Sequence, residues 1–567
     1  GNAVTGGSEL SRRSFLSRGA ATGGLVMLGA VGATALAGCS SGSSTSTTTG
    51  SDSGSKPGVG SGSPVRGGSL TVGMTAEIDG FYPGTAHWDV NGFCYANTVY
   101  DPLMATAADG TTQPYLAQSM SPNSTFDVWT MKLRPGVTFS DGSALTSGVV
   151  LVNYKVLKAS ALTGVALDQV ASVTTPDEMT VVYTLTGPNP TFPAGLTTQV
   201  GYVVGEAMIL EALGAPNTAP KPIGTGPFIY SEWQPDDHFT ATRNPNYWRK
   251  GLPYLDSITF KPIPDSTQRE STLRTGGVDM IESVDPTTIT NFSGSGGSGY
   301  QLVDTSTGVI GQPSFAFIML NTAVAPTSDL TIRRALAMGM DQAEVQKIIG
   351  GPPAQPADGI FLTDSPYYSK TSYPTYNPSE AKKLVAAYKA QHGTPTLNLL
   401  TIPTPIEIKV VSAIQQMWQE VGFKVTISEV EQATIIDDFV LGKFQAVTSY
   451  QFGAVVPDLN YVWWSTTTIS PVGKIGLNFT RLNDPALEAA LLLGRHTTNQ
   501  SSRVAAYKAV NEQLAKQLPY LWIEQYVFSE VADKRVQNFA NPTLPSGKPQ
   551  YAFDEGIFVP TQIWLAG

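Results

Sequence analysis

Apolar residues run along this chain in two textures, and the change between them near residue 300 is its clearest organisational signal. In the first part they form short runs cut by Gly, Pro, Asn and Asp, the pattern of strands and turns. Ser69-Leu70-Thr71-Val72 predicts a first strand. Residues 126–133 are rich in strand formers. Arg134-Pro135-Gly136-Val137 follows with type II turn chemistry, Pro fixing φ and Gly accepting positive φ. Val137-Thr138-Phe139 is then expected to return alongside as a hairpin. Residues 226–233 and 238–243 predict a second hairpin about Gln234-Pro235-Asp236-Asp237, and residues 255–262 a further strand. Residues 265–274 predict a helix stopped by Gly276-Gly277.

A Gly/Ser-rich break at residues 291–299 opens the second texture. Residues 315–320 are continuously apolar, as in a strand buried on both faces. Helices are expected over residues 329–340, after the capping-box spacing of Asp341-Gln342-Ala343-Glu344, and from Asn377-Pro378-Ser379 to Gly393. Residues 397–401, 406–421 and 423–427 read as a β-α-β unit, which implies parallel strands and a right-handed crossover. Two more helices are expected over 485–495 and 502–518. The fold class is therefore α/β, with a β-rich N-terminal lobe and an α/β lobe from about residue 307.

The N-terminus changes the picture. Ser11-Arg12-Arg13-Ser14-Phe15-Leu16-Ser17 is a twin-arginine pattern, residues 25–37 are mildly apolar, and Leu36-Ala37-Gly38-Cys39 has the form of a bacterial lipoprotein cleavage box. The apolar stretch falls short of the ~20 residues that span a bilayer. Residues 1–38 are expected to be a signal peptide for twin-arginine export. Cys39 would then carry a lipid that anchors the protein at the extracytoplasmic face of the cell membrane. Residues 39–65 are nearly all Ser, Thr, Gly, Asp, Lys and Pro, with no apolar surface to offset ordering entropy. They are expected to form a disordered tether, without fixed structure before about Val65.

The 567 residues suffice for two or more domains, and a composition of 41% hydrophobic and 14% charged residues supports a large core. A net charge of −10 without a basic stripe argues against nucleic acid as a partner. With Cys39 assigned to lipid, Cys94 stands alone and no intramolecular disulfide is possible. His87, His238, His392 and His496 lack metal-binding spacing, and no metal or cofactor is expected.

Several stretches, in this order, carry a resemblance. They are Tyr100-Asp101-Pro102-Leu103, the run from Leu133 to Gly142, Gly224-Thr225-Gly226-Pro227-Phe228 and Asn244-Pro245-Asn246-Tyr247-Trp248. Then come Leu252-Pro253-Tyr254-Leu255-Asp256, Gly277-Val278-Asp279, Arg333-Arg334-Ala335-Leu336 and a helix end with Gln416, Trp418, Val421 and Gly422. Together they resemble the bacterial extracellular solute-binding proteins of family 5, the dipeptide, oligopeptide and nickel receptors of ABC importers. The resemblance implies a two-lobed periplasmic-binding-protein-like (Venus flytrap) fold with a β-rich extra subdomain in the N-terminal lobe. Residues 66–306 plus 529–567 would form one lobe and residues 307–528 the other, with two hinge crossings. It implies a monomer that captures a small solute and delivers it to an importer permease, with no catalysis.

Two departures stand out. Gly148 replaces an acidic residue usual before Val, a position read as structural. In the peptide binders an aromatic-x-x-Asp stretch supplies the aspartate that pairs with a free α-amine; aligned on Pro457-Asp458, that position here is Gly453. Either another acid replaces it or the ligand lacks a free amine, because a buried ammonium without a carboxylate costs several kcal/mol, roughly. Candidate ligand contacts are Tyr82, His87, Trp88 and Asn91 from the loop after the first strand, and Tyr450, Phe452, Trp463, Trp464 and Asn478 from the second lobe. Trp463 and Trp464 are expected on a strand or extended loop, one facing inward and one outward. Aromatic platforms with neutral hydrogen bonders suit an oligosaccharide or a peptide-like solute. A free-amine peptide receptor is the alternative within the family. Ser379-Glu380-Ala381-Lys382 matches the S-x-x-K of serine hydrolases, but its partner motifs are absent and helix initiation explains Ser379. A ligand sensor on the same lobes is a third reading.

Overall fold

The computed structural model describes residues 57–60, 62–215, 219–283, 285–304, 315–350, 357–430, 432–451, 454–525, 528–553 and 556–567. The expected signal peptide, Cys39, Phe452 and Gly453 lie outside the described residues.

Two main sheets organise the chain. The first has seven strands in the order Tyr300–Asp304, Ser529–Asp533, Met280–Ser283, Ser69–Met74, Ser257–Pro262, His238–Arg243 and Phe228–Gln234. Ser69–Met74 runs parallel to Ser257–Pro262 and to Met280–Ser283, and the other pairings are antiparallel. Helix Val90–Val99 packs on this sheet, with the Tyr95 ring 4.6 Å from that of Phe260. The second sheet has five strands in the order Lys424–Glu429, Thr396–Thr401, Ala446–Gln451, Phe315–Leu320 and Tyr520–Gln525. All six residues of Phe315–Leu320 are buried, as a continuous apolar run demands, with helices on both faces. The expected β-α-β unit is present as Thr396–Thr401, helix Pro405–Glu420 and Lys424–Glu429, the strands pairing in parallel. A separate antiparallel sheet, Ala117–Pro122, Val128–Leu133, Thr180–Leu185 and Val170–Asp177, packs against helix Ser147–Ala159 around Trp129, Met131 and Tyr183. This is the extra β-rich subdomain, and Gly148 lies in the first turn of its helix, after the Thr146 cap.

The recurring motifs turn out to be fold-holders. Asp101 is buried and accepts from Trp248 Nε1 (2.7 Å), Tyr247 Oη (3.0 Å) and Thr225 Oγ1 (3.4 Å), knotting three of the stretches together. Burial pushes its carboxyl up to about 7. Gly226 lies so close to helix Val90–Val99 that an added Cβ would stand 2.4 Å from the Val99 carbonyl carbon. Arg333 is buried and donates to the carbonyls of Gln517 (2.7 Å), Thr327 (2.8 Å) and Ser328 (3.1 Å). Trp418 Nε1 donates to Leu336 O at 3.0 Å.

Three expectations are corrected. The turn at Pro135-Gly136 exists, with Gly136 at φ 75°, but residues 137–139 do not return along Val128–Leu133. Both edges of that strand are taken by Ala117–Pro122 and Thr180–Leu185, and Thr138 bridges Ala144 instead. Order begins before Val65: Gly58 is buried, its N–H donates to Gln301 Oε1 (2.9 Å) and its carbonyl accepts from Ala540 N (2.9 Å). Glycine is required there, with φ 72° and a Cβ position 2.5 Å from Ala540 Cβ, and hydrogen bonds of its backbone hold a segment poor in apolar side chains. Trp463 and Trp464 lie on a short helix, Tyr461–Trp464, rather than an extended segment.

Candidate ligand-binding cleft

Open α/β sheets receive ligands outside the carboxyl ends of their parallel strands. In the first sheet that edge lies beyond Met74, Pro262 and Ser283. Asn91, in the first turn of helix Val90–Val99, accepts from Thr75 Oγ1 (3.1 Å) and Ala76 N (3.4 Å). The same Thr75 hydroxyl lies 2.8 Å from Glu282 Oε2. One hydroxyl proton cannot serve both acceptors. Burial raises the Glu282 carboxyl, and the Thr75 hydrogen bond and the charge of Arg269 oppose that rise.

His87 is half exposed and its ring Nδ1 lies 2.8 Å from Asp79 Oδ2. That hydrogen bond raises its pKa, helped by the charges of Asp79 and of Asp437, which is on helix Gln432–Leu441 beside the second sheet. His87 thus faces across the two lobes. Tyr82 and Trp88 instead turn inward. Trp88 stacks on Tyr100 with centroids 6.0 Å apart and donates Nε1 to Gly80 O at 3.0 Å, and the Tyr82 ring packs over Gly84. They build the loop rather than offer platforms.

In the second sheet the carboxyl edge carries Tyr450, half-buried against the helix layer. Tyr450 and Glu524 flank Ala316 in one row across three strands. Glu524 is fully buried and, among the described residues, neither carboxylate oxygen has a partner; burial pushes it up to about 8. Glu407, three residues past the Thr404 helix cap, accepts from Thr401 Oγ1 at 3.2 Å and is pushed up to about 7 by burial. Trp463 is half-buried with its ring 5.1 Å from Phe479. Trp464 is a core residue at 1% exposure. Asn478 is buried and donates to the carbonyls of Leu482, Trp464 and Ser465 at 3.1–3.2 Å, which is turn duty rather than ligand contact. Ser379 lies in the first turn of helix Pro378–His392, capped by Asn377, as helix initiation implied.

The lobes also touch. Asp458, 7% exposed, accepts from Arg495 Nε (2.8 Å) in its own lobe. From the β-rich subdomain it accepts Asn189 Nδ2 (3.2 Å) and Thr191 Oγ1 (3.4 Å). The His496 ring bonds to the Pro188 carbonyl nearby. Sequence reasoning missed Asp458 as a bridge and Glu282, Glu524 and Glu530 as buried acids. The signal available was a lone Glu inside each of the apolar strands Met280–Ser283, Tyr520–Gln525 and Ser529–Asp533.

A profile of the middle region of the bacterial extracellular solute-binding proteins, family 5, matches residues 111–470, more than half the chain. The chain belongs to this family. Among family 5 relatives, the glutathione-binding protein GsiB of Pectobacterium atrosepticum is 24% identical, with 78% of this chain and 86% of that protein covered. The nickel-binding periplasmic protein of Escherichia coli is 25% identical, covering 77% and 85%. In fold, the chain is similar to the binding protein AgaA of A. tumefaciens R10, solved with agropinic acid, at a TM-score of 0.76 and 22% identity, with 88% and 99% covered. Membership in family 5 places the protein among extracellular solute receptors of ABC importers. Among the described residues no helix is long and apolar enough to cross a membrane.

Proposed function

We propose that this protein closes two lobes on a small polar organic solute, an oligosaccharide or a peptide-like molecule, and hands it to the permease of an ABC importer. The observation that carries this reading is the bridge of Asp458 to Asn189 and Thr191, which joins two separately cored bodies. His87, Asn91, Tyr450 and Trp463 are the ligand contacts retained from the sequence, and Phe452, outside the described residues, stays a candidate from the sequence alone. The peptide-like option is supported by GsiB, which is named for glutathione. The protein acts as a monomer without catalysis, exported by the twin-arginine route and held at the membrane by a lipid on Cys39. The N-terminal pattern Ser11–Ser17 and the box ending at Cys39 support that part.

The test is a thermal-shift titration against short free-amine peptides, amine-blocked peptides and neutral oligosaccharides. A true ligand at 100-fold over its Kd adds about 2.7 kcal/mol and raises the melting temperature visibly. No stabilisation by any class would sink the receptor reading. Mass spectrometry of the membrane-extracted protein reads the anchor directly: an unmodified Cys39 would end that part of the proposal.

A further inference from the structure

Strands Met280–Ser283 and Ser529–Asp533 pair in a register that sets Glu282 directly opposite Glu530. Residues so placed project from the same face, with Cβ atoms about 4.5–5.5 Å apart, where like charges repel. The face is the one that carries Val72, Met74, Met280 and Ala532 against helix Val90–Val99. It lies at the carboxyl edge of the parallel strands. Glu282 is 1% exposed and Glu530 is 0% exposed. Glu282 has the Thr75 hydroxyl as its partner, and among the described residues neither oxygen of Glu530 has any.

Among the described residues no cation bonds to either side chain of this pair, although the charge of Arg269 lowers both carboxyls. Arg269, on helix Ser266–Arg274, gives Nε to the Glu282 carbonyl (2.9 Å) and Nη1 to the carbonyls of Ile263 (2.6 Å) and Pro264 (3.0 Å), while its Nη2 bonds to nothing. The other neighbours supply no positive charge. Asp89 caps helix Val90–Val99 through Gly92 N (2.8 Å), the Cys94 thiol points to Gly556 O (3.8 Å), and Val303 is the residue opposite Glu530 on its other side. The Cys94 thiol feels the charges of Glu282, Glu530 and Asp89 together, which sets all three near the same stretch of that helix. Glu524 repeats the feature on the last strand of the second sheet before the chain crosses back. A fully buried, unpartnered carboxylate is costly, and an apolar residue would serve a core better.

We infer that Glu282 and Glu530 form the anionic seat for a protonated amine or guanidinium on the ligand, an inference that rests on the receptor reading above. They supply the acid that Gly453 cannot. In the free protein burial raises both carboxyls, and the charge of Glu282 raises Glu530 further against a lowering by Arg269, so the pair favours its protonated form more than exposed glutamates do. When the ligand cation arrives the carboxyls ionise and their protons pass to the buffer, so binding releases protons.

The experiment uses the full chain, freed of co-purified ligand by partial unfolding and dialysis. It is titrated calorimetrically at pH 7 with trialanine, lysyl-alanyl-alanine, putrescine, N-acetyl-trialanine and maltotriose, in two buffers of different ionisation enthalpy. At least one amine probe is expected to bind with heat that depends on the buffer. Glu530→Gln and Glu282→Gln should weaken it at least tenfold, while Glu530→Gln melts no lower than the parent. Binding of the neutral-ended probes alone, or of an amine probe with unchanged affinity in Glu530→Gln, overturns this inference and leaves the receptor reading standing. Binding of no probe by the folded parent overturns both. Should the variants fail to fold, the parent still decides, since amine binding without proton release refutes the seat.

Discussion

Asn189→Ala is the sharpest test of how the two lobes are held together. Asn189 Nδ2 reaches Asp458 Oδ2 at 3.2 Å, and the two residues come from different bodies, so parting those bodies would break the bond. Bonds to charged groups contribute about 1.5–3 kcal/mol and neutral ones about 0.5–1.5 kcal/mol. The length here is at the long limit for N–H···O, and water re-solvates Asp458 when the lobes part, so about 1 kcal/mol is the reasonable figure. Affinity scales with the closed, binding-competent fraction, and about 1.4 kcal/mol is tenfold, so Kd should rise about fivefold. Asn189 also accepts from Thr191 N and Oγ1, both at 2.8 Å, inside its own turn. Thr191→Val removes the one hydroxyl proton that Asn189 Oδ1 (2.8 Å) and Asp458 Oδ2 (3.4 Å) share, leaves the Thr191 N bond to hold the turn, and should weaken binding about twofold. Calorimetric titration with the best ligand from the thermal-shift screen measures both. If both variants melt like the parent and bind with its affinity, the bridge contributes nothing to closure and the reasoning fails.

Stability should fall as pH rises from about 5 to about 8. Asp101 and Glu407 are pushed up to about 7 and Glu524 to about 8, from ordinary values of 3.8 and 4.5. The folded chain therefore holds more protons than the unfolded one across that window; greater resistance to urea at pH 8 than at pH 5 would contradict this. Trp418→Ala empties a fully buried site and deletes the bond to Leu336 O, which should cost about 3–5 kcal/mol in a urea melt, with a loss under about 1 kcal/mol refuting its role as the pin between helices Leu330–Met338 and Pro405–Glu420.

Periodicity and capping chemistry exposed most of the second lobe. Asn377, Asp341 and Gly393 mark helix ends where they were expected, with Asn377 and Asp341 accepting from first-turn amides and Gly393 at φ 79°. Helix Val90–Val99 was not legible, because eight of its ten residues are buried on every side and no apolar stripe survives. The hairpin at Pro135-Gly136 was half legible: turn chemistry is local, whereas the partner of Val128–Leu133 depends on strands some 50 residues away in sequence, such as Thr180–Leu185. The aromatic side chains proposed for the cleft divided for a related reason. Trp88 and Trp464 look like platforms in sequence, but only the three-dimensional neighbourhood of Tyr100 and of the second core shows that they face inward. The acids at Glu282 and Glu530 were visible as charges within apolar strands, yet their opposition depends on a pairing across about 250 residues.

Ser529–Asp533 lies inside the first sheet, between Tyr300–Asp304 and Met280–Ser283, and among the described residues it is the only strand that pairs with Tyr300–Asp304 there. On the ribosome, a chain made from its N-terminus leaves that sheet with a slot until the last few dozen residues emerge. The second sheet, built wholly from residues 315–525, is complete before then. The usual N-terminal-first order of domain folding is thereby reversed. The lobe translated first is finished last, and a ribosome stalled before residue 529 would hold one finished lobe and one sheet with an open edge.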